Sequence, residues 1–254
     1  MNAGAPPPRR AKIVVTLGPA TDGLERELAA SGLDVARLNF SHGEPAEQRR
    51  RCEAIRAAAK EQGRVIAVMQ DLPGPKIRTG RLAGGGPVNL VEGQTLTISG
   101  GDQIGNSSRI ACTYPALAGD VRPGNTLLLD DGHIRLTVTG TAGGEIQARV
   151  EQGGPLGEHK GINAPGVAIS ASVPTEDDVR DLRFGICELE VDYVALSFIR
   201  TADEVRKVRT LVTQLGRATP LVVKLEKEEA IHNLEAILKV ADALMVARGD
   251  LGVE

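Results

Sequence analysis

The chain has 254 residues, 41% hydrophobic and 25% charged, with a formal net charge of -3. That length suits one large domain or two smaller ones, and the charge gives no basis for nucleic acid or an anionic membrane as partner. Aromatic residues make up 2% and Trp is absent, so the core must be built from Val, Leu, Ile and Ala. No apolar run approaches the ~20 residues of a membrane span. The opening MNAGAPPPRR lacks the apolar stretch of a secretion signal and reads as a loose tail. Cys52, Cys112 and Cys187 are far apart without a C-x-x-C, as isolated reduced thiols would be. A cytoplasmic protein is the expectation.

Strand and helix alternate over residues 1–72. Lys12 to Thr16 is a β-rich run, Leu24 to Ser31 is helical, and Gly32 is its stop. Val35 to Asn39 reads as a second strand. Glu47 to Gln62 follows as a helix with Cys52, Ile55 and Ala59 on one stripe, ended by Gly63. Val65 to Met69 is a third strand, apolar enough to be buried on both faces of a parallel sheet.

The texture changes at Leu72-Pro73-Gly74-Pro75. From residue 73 to 173 no helix is expected. β-prone runs appear instead at Gln94 to Ser99, Ser108 to Thr113, Thr126 to Leu129, His133 to Thr139 and Glu145 to Val150. Turn signals such as Asp130-Asp131-Gly132 and Ala142-Gly143-Gly144 separate them. This reads as an all-β insert.

From residue 174 to 254 the alternation resumes. Thr175-x-x-Asp178 and Thr201-x-x-Glu204 are capping boxes opening two helices, and Val191 to Phe198, Leu221 to Leu225 and Ala243 to Val246 are strands. Six strands in this pattern argue for a (β/α) barrel or a doubly wound sheet. An eight-stranded barrel takes ~250 residues without an insert, so this one is expected to be two strands short.

Chemistry-bearing residues fall at the strand ends. Arg37, Asn39 and Ser41 share a face and offer a guanidinium for phosphate and two neutral oxygens for a cation; a plain strand-end turn is the other reading. Asp71 ends the third strand, and Gly74 to Gly80 is a basic connector suited to a nucleotide or simply solvated. Lys160 sits in His159 to Gly166, where an exposed turn lysine is the alternative. Lys224 and Glu226, two apart on a strand, point the same way, and Asp250 follows the last strand. Two carboxylates can hold Mg²⁺, and a lysine beside them can neutralise a transferring phosphoryl group. The alternative is a buried ion pair. The residues Glu226 to Glu229 and Asp242 otherwise look like surface, and His133, His159 and His232 show no metal-ligand spacing.

Together these segments resemble the pyruvate kinases. The matching stretches are KIVVTLGPAT (Lys12 to Thr21), VARLNFSHG (Val35 to Gly43), DLPGPKIRTG (Asp71 to Gly80), LLDDGHI (Leu128 to Ile134), HKGINAPG (His159 to Gly166), SFIR (Ser197 to Arg200), KLE (Lys224 to Glu226) and MVARGDLGVE (Met245 to Glu254). They run in family order across essentially the whole chain.

The resemblance implies an α/β fold, a (β/α)₈ barrel of TIM type, incomplete at its C-terminus, with a mobile all-β lid inserted after the third strand. It implies phosphoryl transfer from phosphoenolpyruvate to ADP, giving pyruvate and ATP. By the match, Arg37 and Lys224 are catalytic, Arg37 gripping the phosphoryl group and Lys224 stabilising its charge in flight, with Ser197, Gly249 and Asp250 at the substrate. Glu226 and Asp250 hold Mg²⁺. Asn39, Ser41, Asp71 and the Leu72 carbonyl form a monovalent-cation site, while Asn39, Phe40, Ser41, His42, Arg78 and Lys160 meet the nucleotide. A homo-oligomer is expected of the full-length protein.

Leu72 and Lys76 depart from the family's common Thr and Glu. Lys76 places a fixed ammonium near the cation site and is expected to make K⁺ dispensable. The expected shortfall of two strands and of the C-terminal domain implies a polypeptide that is poorly soluble or inactive alone. Two other functions stay open: a non-catalytic domain binding nucleotide or phosphoenolpyruvate, and a Mg²⁺-dependent pyruvate aldolase on a related barrel.

Overall fold

The structure, a computed structural model, describes residues 10–252. The tail expected over residues 1–9, and Val253 and Glu254, lie outside them. Strands β1 (Val14–Leu17), β2 (Val35–Asn39) and β3 (Ala67–Leu72) alternate with helices α1 (Glu25–Ser31) and α2 (Pro45–Glu61). Gly32 closes α1 at φ 100°, a left-handed cap. The α2 stripe packs inward as expected, with Cys52, Ile55 and Ala59 buried.

The middle of the chain holds β4 (Val88–Leu90), β5 (Thr95–Gly100), β6 (Arg109–Cys112), α3 (Leu117–Asp120), β7 (Thr126–Leu129), β8 (Ile134–Ala142), β9 (Glu145–Gln152), β10 (Gly154–Leu156) and β11 (Ile162–Asn163). Helix α4 (Glu176–Cys187), β12 (Tyr193–Leu196), α5 (Ala202–Gln214), β13 (Leu221–Leu225), α6 (Glu228–His232), α7 (Leu234–Leu238), β14 (Ala243–Val246) and α8 (Arg248–Leu251) follow. Both capping boxes form. Thr175 Oγ1 accepts from the Asp178 N–H at 3.0 Å, and Thr201 Oγ1 from the Glu204 N–H at 3.4 Å.

One sheet runs β1-β2-β3-β12-β13-β14, and every neighbouring pair is parallel. The order follows the chain, with no switch point where it reverses. That is the winding of a barrel, not of a doubly wound sheet. Alternate residues face two environments. Ala36, Leu38, Val68, Leu72, Val194, Leu196, Leu221, Val223 and Leu225 pack with the helices, including Val205, Val208 and Val212 of α5. Each such burial contributes about 1.5–3 kcal/mol. The other face collects Val35, Met69, Tyr193, Ala195, Val222 and Met245 into a smaller apolar cluster. Two residues further along the strands, that inner face turns polar.

A second sheet, β11-β7-β8-β9-β5-β6, is antiparallel except for β5 with β6, and β4 pairs with β10 separately. It has its own apolar cluster, built from Leu96, Ile98, Ile110, Leu127, Leu136, Val138, Ile146 and their neighbours.

Three expectations are corrected. The third strand begins at Ala67, not Val65, which is 94% exposed. Its register is fixed on both sides, by the Ala67 N–H on the Asp34 carbonyl at 3.0 Å and the Val68 N–H on Asp192 Oδ2 at 2.7 Å. The region from 73 to 173 contains the short helix α3 and a 3-10 turn at Ala83–Gly85. The run Glu226 to Glu229 is not all surface, because Glu226 and Lys227 are buried.

Candidate active site at the strand ends

The polar layer stands at the C-terminal ends of the parallel strands, where barrel enzymes carry their chemistry. Arg37 comes from β2, Asp71 from β3, and Lys224 from β13. Ser197 and Glu226 follow directly after β12 and β13. Arg37 places Nε and Nη2 on Asp71 Oδ2 at 2.7 and 2.6 Å, and its Nη1 on Thr16 Oγ1 at 2.6 Å. Lys224 Nζ lies 3.4 Å from Asp71 Oδ1, 2.8 Å from Ser197 Oγ and 2.7 Å from Glu226 Oε1. The second Glu226 oxygen accepts the Phe198 N–H at 2.8 Å.

Two cations and two carboxylates therefore balance in a nearly closed space. Asp71 is 2% exposed, Glu226 1% and Lys224 9%. Burial pushes the Glu226 carboxyl up; Lys224 and the Phe198 N–H pull it down, and the charge of Asp250 adds to the upward push. The buried ion pair foreseen as the alternative for Lys224 and Glu226 thus exists. It does not compete with a role in chemistry, because an anionic group entering beside Lys224 would meet an ammonium already held in place.

Above this layer opens a cleft of about 240 Å³. Its walls include Arg78, Asp130, Asp131 and Lys160 from the second sheet's connections, and His42, Phe198, Arg200, Lys227 and Asp250 from the barrel-like sheet. Arg78 and Lys160 are brought together by pairing of their segments. The Thr79 N–H meets the Lys160 carbonyl at 2.7 Å, and Arg78 Nη1 meets the His159 carbonyl at 2.9 Å. Lys160 is ion-paired to Asp130 at 2.8 Å, which raises its pKa, and Asp131 adds to the effect. His42 is pushed down by burial and by Arg78 and Lys76 nearby, which keeps the imidazole neutral at pH 7.

Not every expected residue converges. Phe40 turns its ring toward Phe184, 6.2 Å between centroids, and packs with the helices. Ser41 borders a separate groove with Pro73 and Tyr114. Asn39 Oδ1 accepts the Ser41 N–H at 3.1 Å, closing the turn after β2. Leu72 is core, so only its carbonyl is available at the rim. Ser197 is buried with its hydroxyl on Lys224, and like Arg37, Asp71, Lys224 and Glu226 it does not line the cleft wall. Gly249 and Asp250 lie in α8, after β14.

The donor types suit a hard divalent ion at Glu226 and Asp250, whose charges act on each other, with substrate oxygens and water to complete the shell; both Glu226 oxygens are already engaged, by Lys224 Nζ and by the Phe198 N–H. In the monovalent-cation set, both Asp71 oxygens likewise already face cations, Arg37 and Lys224.

Sequence reading missed three contributors. Thr16 pairs in register with Arg37 across β1 and β2, and strand parity placed it on the same face. Gln48 sits buried beneath the turn, its Nε2 on the Asn39 and His42 carbonyls at 3.0 and 2.8 Å, with no local signal marking it. Asp130, partner of Lys160, lay in the Asp-Asp-Gly turn.

Comparison with known proteins supplies the family. The family model for the pyruvate kinase barrel domain matches residues 8–254. Pyruvate kinase of Mycobacterium intracellulare is 47% identical over 248 residues, 97% of this chain and 52% of that protein. Those of Corynebacterium glutamicum and Geobacillus stearothermophilus are 45% and 43% identical over 97% of this chain, and 52% and 42% of their own lengths. The chain spans about half the length of the curated relatives it matches. The match of residues 8–254 to that model, and the identity to these relatives across nearly the whole chain, show that the chain belongs to the pyruvate kinase family.

Proposed function

We propose that the protein carrying this chain transfers the phosphoryl group of phosphoenolpyruvate to ADP. The observation that supports this most is the single buried carboxylate of Asp71 holding Arg37 and Lys224 side by side, with Glu226 against the same lysine. Arg37 presents a guanidinium whose orientation is fixed by Asp71 and Thr16, ready to grip phosphoryl oxygens. Lys224 stands where negative charge develops as the group leaves the enolate oxygen, and stabilises it without reorganising. Glu226 and Asp250 would hold Mg²⁺, which when bound draws charge from the phosphoryl oxygens. Gly249 would approach the substrate through its backbone. His42, Arg78 and Lys160 line the side of the cleft that the nucleotide would occupy.

On this reading, residues 1–72 and 174–254 belong to the barrel, and residues 73–173 form a lid whose closure brings Arg78 and Lys160 over the phosphates. Asn39, Phe40 and Ser41 contribute through the shape of their turn. Lys76, among the basic groups around His42, makes K⁺ dispensable. The protein is cytoplasmic and assembles with copies of itself; no described helix is long and apolar enough to cross a membrane.

The test is ATP formation from phosphoenolpyruvate and ADP with Mg²⁺, using the intact protein. ATP formed in step with pyruvate supports the reading. Binding of both substrates without transfer would replace it with a non-catalytic role, which the family match does not favour.

A further inference from the structure

Resting on the reading above, we infer that the two-residue turn Ser197–Phe198 is a positioning device that sets both Lys224 and Glu226. Each residue holds one of them. Ser197 is buried; its hydroxyl oxygen accepts from Lys224 Nζ at 2.8 Å, and the hydroxyl donates to Asp71 Oδ1 at 3.4 Å. Phe198 gives its backbone N–H to Glu226 Oε2 at 2.8 Å. The lysine and the carboxylate in turn meet each other at 2.7 Å, so the turn closes a ring of contacts around them.

The backbone is bent to make this possible. Phe198 has φ 56°, a left-handed conformation that a bulky side chain seldom adopts. Such outliers persist only where the surroundings over-determine them, and they gather at functional sites. Gly74 is part of those surroundings. It has φ 63°, and a Cβ built there would stand 2.9 Å from the Ser197 carbonyl oxygen and 3.1 Å from Phe198 Cδ2. Its N–H is pinned in turn by Asp178 Oδ1 at 3.0 Å, and Asp178 Oδ2 caps α4 through the Thr175 N–H at 2.8 Å. The bare backbone of Gly74 therefore backs the turn from one side while Lys224 and Glu226 face it from the other. The resemblance puts Ser197 at the substrate; in the structure its hydroxyl meets the lysine.

The experiment is a Mn²⁺ titration of the substrate-free intact protein, followed by electron paramagnetic resonance, beside steady-state kinetics. Phe198→Gly keeps the N–H and takes positive φ freely, so it should bind Mn²⁺ within about twofold of the parent. Phe198→Val resists that φ and should weaken binding ~10-fold. Ser197→Ala should leave Mn²⁺ binding within about twofold and lower kcat ~10-fold with little change in KM for phosphoenolpyruvate. Gly74→Ala, which presses on the Ser197 carbonyl, should reproduce that kcat loss. Parent-like Mn²⁺ binding by Phe198→Val would overturn the inference, as would equal weakening in the Gly and Val variants. So would a Ser197→Ala effect confined to KM, or an unchanged kcat in Gly74→Ala. Glu226→Gln binding Mn²⁺ as the parent does would overturn the metal assignment itself, a separate failure.

Discussion

Arg37 and Asp71 sit two nitrogens to one oxygen, at 2.7 and 2.6 Å, on adjacent parallel strands. The other Asp71 oxygen faces Lys224 at 3.4 Å. One buried carboxylate thus holds two cations together at the rim where an anionic substrate would land. Left alone, those cations would repel each other and splay toward solvent.

Asp71→Asn should therefore cost both stability and activity. Removing one partner of a buried charge network typically costs ~3–5 kcal/mol. Thermal unfolding should report a loss of that order, and kcat/KM for phosphoenolpyruvate should fall at least ~100-fold. Parent-like kinetics would mean the two cations need no counter-charge.

Arg37→Lys keeps the charge but loses the fork that spans Asp71 and Thr16. The expected result is a ~10–100-fold drop in kcat/KM for phosphoenolpyruvate with a smaller effect on the nucleotide KM. Steady-state kinetics with each substrate varied in turn would check it.

Monovalent cations should matter little. Asp71 is already neutralised by Arg37 and Lys224, and Lys76 adds fixed charge near His42. Activity in K⁺ and in tetramethylammonium buffers should agree within about twofold, and Lys76→Glu should create a K⁺ requirement. Strong K⁺ activation of the parent would contradict this.

Asp181 gives a pH prediction away from the site. Partial burial, then the neighbouring Asp178 and Asp177, pushes its carboxyl from 3.8 to about 6. A carboxyl with a raised folded value stabilises the fold most when protonated. That contribution is complete below 3.8 and is lost as pH rises through about 6. Asp181→Asn should raise stability by about 1 kcal/mol at pH 7.5, a figure discounted for its only partial burial, and change little at pH 4. Unfolding curves of both proteins at the two pH values decide it.

Much of the fold was legible because it is local. The ranges Val35–Asn39, Thr126–Leu129, Leu221–Leu225 and Ala243–Val246 were read at their observed bounds, and both Thr capping boxes formed. What escaped depends on distant partners. Val65 looks like strand by composition, yet β3 starts at Ala67 because Asp34 and Asp192 set its register. The three-residue pair β4 and β10 exists only because residues far apart in sequence meet. The site divides the same way. Lys224 and Glu226 share a strand face by parity, but the burial of Ser197, the left-handed Phe198 and the support from Gln48 follow from packing that no local pattern encodes.

The account turns on Lys224 as the group that meets the moving phosphoryl. The most direct measurement is the rate of ATP formation from phosphoenolpyruvate and ADP by the intact protein and by its Lys224→Met variant, with folding checked by circular dichroism and nucleotide binding by calorimetry. The account predicts a folded variant that still binds ADP and has lost at least ~1,000-fold in kcat. A folded variant with kcat near that of the parent would contradict it.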